Sequence, residues 1–213
     1  MMFPFRLAAP IVVMGLVILV SNELVQHPVQ GQLFNVDLSG ILTWGAFTYP
    51  IAFLVTDTTN RLFGVGIARR VVAVGFIFGV ALTVIAAIGI ASGVSRSGAM
   101  SLWQALFYDA DAFAMLRTAL ASGSAFLTAQ LLDIKVFDVL RQQAWWKAPA
   151  ASSLVGSFID TLLFFFLAFA GTGLPWASWA VGDFCAKLVM IALLLYPFRL
   201  VVRYYPQPLQ DAP

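Results

Sequence analysis

Residues 71–92 read VVAVGFIFGVALTVIAAIGIAS, a run of 22 residues without a single charged side chain. A helix that crosses the hydrocarbon core of a bilayer needs about 20 predominantly apolar residues, whereas a run of about 10–14 is typical of a buried helix in a soluble protein. The run therefore predicts a membrane-spanning helix, and it decides the fold class within which the rest of the chain is interpreted.

The composition of the whole chain agrees with a membrane protein. Of its 213 residues, 61% are hydrophobic and 10% are charged, whereas soluble domains average about 45–50% apolar and about 25% charged residues. This composition excludes a water-soluble domain. The 12 basic and 10 acidic residues balance to a net charge of +2, which indicates no nucleic-acid partner. Cys185 is the single cysteine, so an intrachain disulfide and a multi-thiolate metal site are excluded.

Six apolar runs predict an all-α membrane protein, with six transmembrane helices forming a single polytopic domain over residues 1–213. The second run is short and contains Pro50, a feature that indicates a substrate site in transporters. Residues 133–147 predict an amphipathic cytoplasmic helix between the fourth and fifth spans. The predicted spans are residues 7–22, 42–56, 70–92, 112–131, 152–172 and 178–199.

The basic residues predict the orientation of these spans. In the six-span arrangement nine of the 12 Lys and Arg side chains fall on one side of the membrane, which the positive-inside rule assigns to the cytoplasm. We therefore expect a multi-pass membrane protein with both termini in the cytoplasm. The nine are Arg6, Arg61, Arg69, Arg70, Lys135, Arg141, Lys147, Arg199 and Arg203.

Three ionisable side chains fall well inside the predicted fifth and sixth spans, where such groups usually face the interior of a bundle. Asp183 and Lys187 are four residues apart, so they form either an ion pair or part of a ligand site. Asp160 has no oppositely charged residue in its own span, and it needs Lys187, Arg117, a ligand or a proton to compensate it. Asp160 is therefore the strongest candidate for a functional role.

Further polar residues lie near the ends of the second and fourth spans. Asp57 and Arg61 are again four residues apart and form either a helix-end ion pair or part of a binding site. The pattern Gln130-x-x-Asp133 in span four recurs as Ser157-x-x-Asp160 in span five, and in each case the two polar side chains share a helix face. Such faces are suited to one small, flat, hydrogen-bonding ligand, against which the aromatic residues of span two, Trp44 and Phe53 among them, can pack.

Motifs for catalysis are missing from the sequence. There is no phosphate-binding loop, no His-Glu-x-x-His and no Gly-x-Ser-x-Gly. An intramembrane enzyme would need a nucleophile and base or metal ligands at membrane depth, and the single histidine, His27, falls in a predicted external loop. We expect no enzyme, no catalytic residue, no metal and no cofactor. Gly75-x-x-x-Gly79 indicates close helix packing or a homodimer contact.

Several stretches resemble one family of transporters. They are TWGAFTYPIAFLVTDTTNRLFG at 43–64 followed by Ala68-Arg69-Arg70, AQLLDIKVFDVLR at 129–141, SSLVGSFIDT at 152–161, and Lys187 with Tyr196-Pro197. Over about residues 5–203 the chain resembles the queuosine precursor transporters, also called VUT or YhhQ-like. The resemblance implies a six-helix inner-membrane importer of the 7-deazaguanines preQ0 and preQ1, which are precursors of queuosine in tRNA. It also implies a fold similar to the substrate-binding component of energy-coupling-factor transporters.

The resemblance implies a set of binding residues in this chain. It also implies a 7-deazaguanine and the lipid bilayer as partners. Arg61 stands where other branches often have glutamate, and Ser157 stands where glutamine is expected. A carboxylate, Asp160 or Asp133, would accept from the N1–H and exocyclic amine of the base. The alternative function is a vitamin-binding membrane subunit that requires a separate ATPase. The matching positions are Asp57, Asn60, Arg61, Gln130, Asp133, Asp160 and Lys187.

Overall fold

The computed structural model describes residues 3–33, 35–96, 98 and 101–204, with the side chains of residues 3–6 and 94 left aside. Both chain termini lie outside these residues, as does the side chain of Arg6. The helices are α1 (Phe3–Leu24), α2 (Gly45–Thr48), α3 (Pro50–Phe63), α4 (Val65–Arg96), α5 (Leu102–Tyr108), α6 (Ala110–Leu140), α7 (Lys147–Phe169) and α8 (Trp176–Tyr204). A small antiparallel hairpin, β1 (Gln32–Leu33) and β2 (Val36–Asp37), lies between α1 and α2.

Five helices of the described chain, α1, α4, α6, α7 and α8, are long and apolar enough to cross a membrane. This confirms the prediction of an all-α membrane protein. Most of the helices are longer than the predicted spans, since the spans were drawn from the apolar runs alone. In particular α6 runs on through Asp133 to Leu140.

The predicted separate helix over residues 133–147 does not form, and this prediction was wrong. Residues up to Leu140 continue α6, and a short turn connects them to the start of α7 at Lys147. Ile134 and Phe137, which were expected on a membrane-surface face, are buried in the bundle. Phe137 packs edge-on against Phe198 of α8. The apolar face of this stretch is therefore covered by neighbouring helices rather than by lipid.

Helices α1 and α4 pack side by side and run in the same direction. Gly75 lies against Met14 and Gly79 against Ile18, and a Cβ added at Gly79 would come within 2.7 Å of the Ile18 side chain. One turn further along, Asn22 donates to Thr83 at 3.2 Å. The predicted close packing at Gly75 and Gly79 is thus made within the chain, where small residues let two backbones approach.

The segment that was predicted as the second span is a broken helix at the centre of the bundle. Tyr49 separates α2 from α3, and Pro50 occupies the first turn of α3, where its missing N–H is tolerated. The chain reverses at Gly64, whose φ of 80° lies in the left-handed region that glycine adopts readily. Helices α1, α4, α6, α7 and α8 all contact α3.

Helix α3 runs parallel to α6 and antiparallel to α7. Thr56 meets Gln130 and Asn60 meets Ile134 along α6, whereas Asp57 meets Ser152 of α7. Eight of the 14 residues of α3 are buried. This polar helix therefore lies inside the bundle, enclosed by more apolar helices.

Candidate functional site

One cluster of buried polar groups lies between α7 and α8 around Lys187. The Lys187 Nζ atom lies 2.7 Å from Asp183 Oδ2 and 2.9 Å from Asp160 Oδ2. It also donates to the Thr161 hydroxyl at 2.9 Å, and that hydroxyl donates to Asp183 at 2.7 Å. Lys187 is therefore the partner that Asp160 needed, and its single ammonium group is shared by two carboxylates.

Tyr49, at the break between α2 and α3, closes this cluster from the centre of the bundle. Its ring centre lies 5.3 Å from Lys187 Nζ, close enough for a favourable cation–π contact. Its hydroxyl forms a 3.2 Å hydrogen bond with Ser122 of α6. The lysine is thus held by three elements of the fold.

A second cluster lies between α3, α6 and α7 around Asp57. Its two carboxylate oxygens accept from the hydroxyls of Ser152 and Ser153, each at 3.1 Å. Asp133 of α6 lies beside Asp57 and Ser152, yet neither of its oxygens has a hydrogen-bond partner in the described structure. The expected pair of Asp57 with Arg61 does not form, because the serines of α7 occupy the carboxylate.

Unpartnered polar atoms are concentrated on the repeated sequence pattern. Seven buried side-chain N and O atoms have no hydrogen-bond partner among the described residues, and five of them belong to four side chains. Leaving such a group unpaired costs about 1–3 kcal/mol, so their concentration on facing helices is typical of a site awaiting a ligand. The four side chains are Gln130, Asp133, Ser157 and Asp160.

Two narrow clefts approach these groups from opposite ends of the bundle. The first reaches Asp160, Asp183 and Lys187 from the ends of α1 and α2, at Ser21 and Gly45. The second reaches Asp57 and Phe53 between α3, α7 and α8. Phe53 is buried between the clefts, and it packs so closely on Gly156 that a Cβ there would lie 2.6 Å from its ring. Of the four side chains with unpartnered atoms on the repeated pattern, Asp160 is therefore the one that lines one of these two clefts.

Three of the predicted site residues lie elsewhere. Asn60 donates to the Ile134 carbonyl at 3.4 Å and receives the Arg141 guanidinium at its side-chain oxygen at 3.3 Å. Arg61 donates to the Arg141 carbonyl at 3.1 Å. These contacts tie the last turn of α3 to the last turn of α6. Trp44 is half exposed on the outside of the bundle, so the structure does not bring it to the unpartnered groups.

Several side-chain hydroxyl groups that complete the two clusters were not predicted from the sequence. Tyr49, Thr161, Ser152 and Ser153 all fall within the stretches that were quoted for the family resemblance, so membership of those stretches was an available signal. Hydroxyl groups are common at helix surfaces, and their partners on other helices cannot be recognised from spacing within one helix.

Comparison with known proteins places the chain in a family. A family model described as "Putative vitamin uptake transporter" matches residues 43–202, which include α3, both clusters and every predicted site residue. The chain belongs to this family. Helix α1 lies outside the match.

The curated relatives of this chain carry a more specific name. The "Queuosine precursor transporter" of Escherichia coli (strain K12) is 40% identical over 191 residues, which cover 85% of this chain and 79% of that protein. The "Probable queuosine precursor transporter" of Haemophilus influenzae is 36% identical over 194 residues, with the same coverage. No solved structure gives a significant match. The resemblance found in the sequence is confirmed, and membership of a transporter family agrees with the expectation that the chain is not an enzyme.

Proposed function

We propose that this protein imports queuosine precursors, the 7-deazaguanines preQ0 and preQ1, across the bacterial inner membrane. The observation that carries the proposal is the set of five unpartnered polar atoms on the buried side chains of Gln130, Asp133, Ser157 and Asp160, of which Asp160 lines a narrow cleft. A ligand rich in hydrogen-bonding groups along its edges can satisfy such a set. The names of the relatives indicate a base of this kind.

The direction of the helices supports a six-span arrangement as part of this proposal. Because α1 and α4 run in parallel, the chain between them must return across the membrane, and the broken helix α2–α3 is the segment available. Residues 45–63 span about 28 Å at about 1.5 Å per residue, close to the roughly 30 Å of the hydrocarbon core. The basic residues at the ends of α3, α6 and α8 then face the cytoplasm, as do both termini. We propose the substrate-binding fold of energy-coupling-factor transporters on the strength of the same arrangement.

The proposed pose places the guanine-like edge of the base on a carboxylate. Lys187 is bonded to Oδ2 of Asp160, which leaves Oδ1 to accept from the N1–H or the exocyclic amine. The amide nitrogen of Gln130 donates to a ring acceptor, and the Tyr49 or Phe53 ring packs on the flat face. A base that lacks one of these groups leaves a buried polar atom unpaired, which is the physical basis of selectivity.

The other binding residues implied by the family resemblance fall into two groups, one at the proposed site and one at the cytoplasmic end of the bundle. Lys187 acts by fixing Asp160, and Asp57 lies at the edge of the site beside Asp133. Asn60 and Arg61 hold the ends of α3 and α6 together at the cytoplasmic side. We propose that these two affect transport through the positions of the helices rather than through contact with the base.

The test is uptake in cells that can neither make nor import queuosine precursors. The cells receive nanomolar preQ0 or preQ1, and queuosine in their tRNA is measured with and without this chain. We expect the chain to restore queuosine and Asp160→Asn to abolish the restoration. Asp111→Asn is the matched control, because Asp111 is exposed in the first turn of α6. Full uptake by Asp160→Asn at equal membrane expression would contradict the pose.

The same cells test the alternative function. If the chain is a vitamin-binding subunit, it restores no queuosine and copurifies with a separate ATPase. Restoration in a strain that lacks such ATPases would exclude this alternative.

A further inference from the structure

The two carboxyl sites of the bundle differ in how their charge is compensated. Asp160 and Asp183 share one lysine. Asp57 and Asp133 are equally buried, lie beside one another, and have no Lys, Arg or His nitrogen within 4 Å among the described side chains. Only the serine hydroxyls of α7 reach them, and these reach Asp57 alone.

The charged residues around this pair all point elsewhere. On α3, Arg61 is engaged with the Arg141 carbonyl, and on α6 Arg141 is engaged with Asn60. On α8, Arg199 lies over the Trp145 ring with 4.8 Å between its guanidinium carbon and the ring centre. Lys147, at the start of α7, is exposed. None of these cations therefore lies against the pair, and two adjacent carboxylates cannot both remain charged at such a position.

The role of the Asp57 and Asp133 pair depends on its position relative to Asp160, and its assignment rests on the proposed function. Asp133 lies against Gly156 of α7, with 3.3 Å between the Asp133 Cβ and the position of a Cβ at Gly156. Asp160 is four residues further along the same helix, a rise of about 6 Å. A bicyclic base whose guanine-like edge rests on Asp160 extends over this distance, so its opposite side, which carries the 7-substituent, reaches the pair.

We infer that Asp57 and Asp133 form a cation subsite for the 7-substituent of the cargo. When the substituent is an aminomethyl group, as in preQ1, its ammonium binds between the two carboxylates and displaces the proton that the pair holds in the empty site. When the substituent is an uncharged nitrile, as in preQ0, the proton stays on the pair. The occupied subsite, counted as the two carboxyl groups with the 7-substituent and any bound proton, thus has the same net charge with either precursor.

The proton balance distinguishes the two ligands on the unmodified protein. The full-length chain in lipid nanodiscs is titrated with preQ1, with preQ0 and with 7-ethyl-7-deazaguanine, which resembles preQ1 in shape but lacks the charge. Calorimetry in buffers of different ionisation enthalpy measures protons released per ligand bound. We expect about one proton for preQ1 and none for the two neutral bases. Equal proton release for all three ligands would overturn the inference.

A variant supplies an independent measurement. Asp133→Asn removes one negative charge and resembles the protonated state, so preQ1 affinity should fall at least tenfold relative to preQ0 affinity. Asp138→Asn is the matched control, since Asp138 lies on the same helix with a half-exposed side chain. Equal loss for both ligands would also overturn the inference. If the unmodified protein binds none of the bases, the proposed function itself fails, so the two failures are distinguishable.

Discussion

Replacement of Lys187 by Met tests whether the buried cluster is held together by its single cation. The lysine is 2% exposed and is the only cation that the described structure places against Asp160 and Asp183. Removing one partner of a buried ion pair costs about 3–5 kcal/mol, because an uncompensated charge remains. For a chain of about 150–250 residues, each 1 kcal/mol lowers Tm by about 2–4 °C. We therefore expect the Tm of Lys187→Met to fall by about 6–20 °C, measured by scanning fluorimetry of the purified protein.

Two further variants make this result specific. The triple change Lys187→Met, Asp160→Asn, Asp183→Asn removes all three charges together, and most of the lost Tm should return because no charge is left unpaired. Lys135→Met is the matched control, since Lys135 is exposed and should leave Tm within about 2 °C. A Tm of Lys187→Met equal to that of the unmodified protein would refute the account of a buried lysine compensating two carboxylates.

Two other predictions separate the ligand region from its supports. Gly156→Val should abolish uptake of preQ0 and preQ1 at normal membrane expression, because its side chain would overlap the Phe53 ring. Gly66→Val is the control and should transport normally, since no atom lies within 4 Å of a Cβ added there. Normal uptake by Gly156→Val would contradict the close packing of Phe53 on Gly156. Asn60→Ala removes the side-chain hydrogen bonds to the Ile134 carbonyl and from Arg141, although Arg141 keeps its 2.7 Å bond to the backbone carbonyl of residue 60, so unfolding free energy should fall by about 0.5–1.5 kcal/mol per lost bond while the Kd for either base changes less than twofold. A large loss of affinity with unchanged stability would instead place Asn60 against the base.

The fold class was predictable because hydropathy is a local property of the sequence. Residues 71–92 indicate a spanning helix whatever their neighbours are, and α4 contains them. The prediction for the stretch after Asp133 was wrong because the partner of an amphipathic face is not a local property of the sequence. Its amphipathic pattern is compatible with a membrane surface or with a groove between helices, and Phe198, more than 60 residues away in sequence, decides between them by covering Phe137.

The candidate site was predictable in part for the same reason. The spacing of Gln130 with Asp133 and of Ser157 with Asp160 places each pair on one helix face, and these four residues carry most of the unpartnered buried atoms. The sequence could not show that α3 lies at the centre of the bundle. That position depends on contacts with five other helices.

The sequence by itself determined that the chain is an all-α membrane protein of a transporter family with polar groups inside its spans. The tertiary structure decided which of those groups are compensated. Asp183 with Lys187 and Asp57 with Arg61 have the same four-residue spacing, yet only the first is an ion pair. Asp57 meets two serines of α7, while Arg61 reaches a carbonyl at the end of α6. Because a polar group in a bundle binds the nearest partner in space, the partner is chosen by how the helices pack and not by the spacing along one of them.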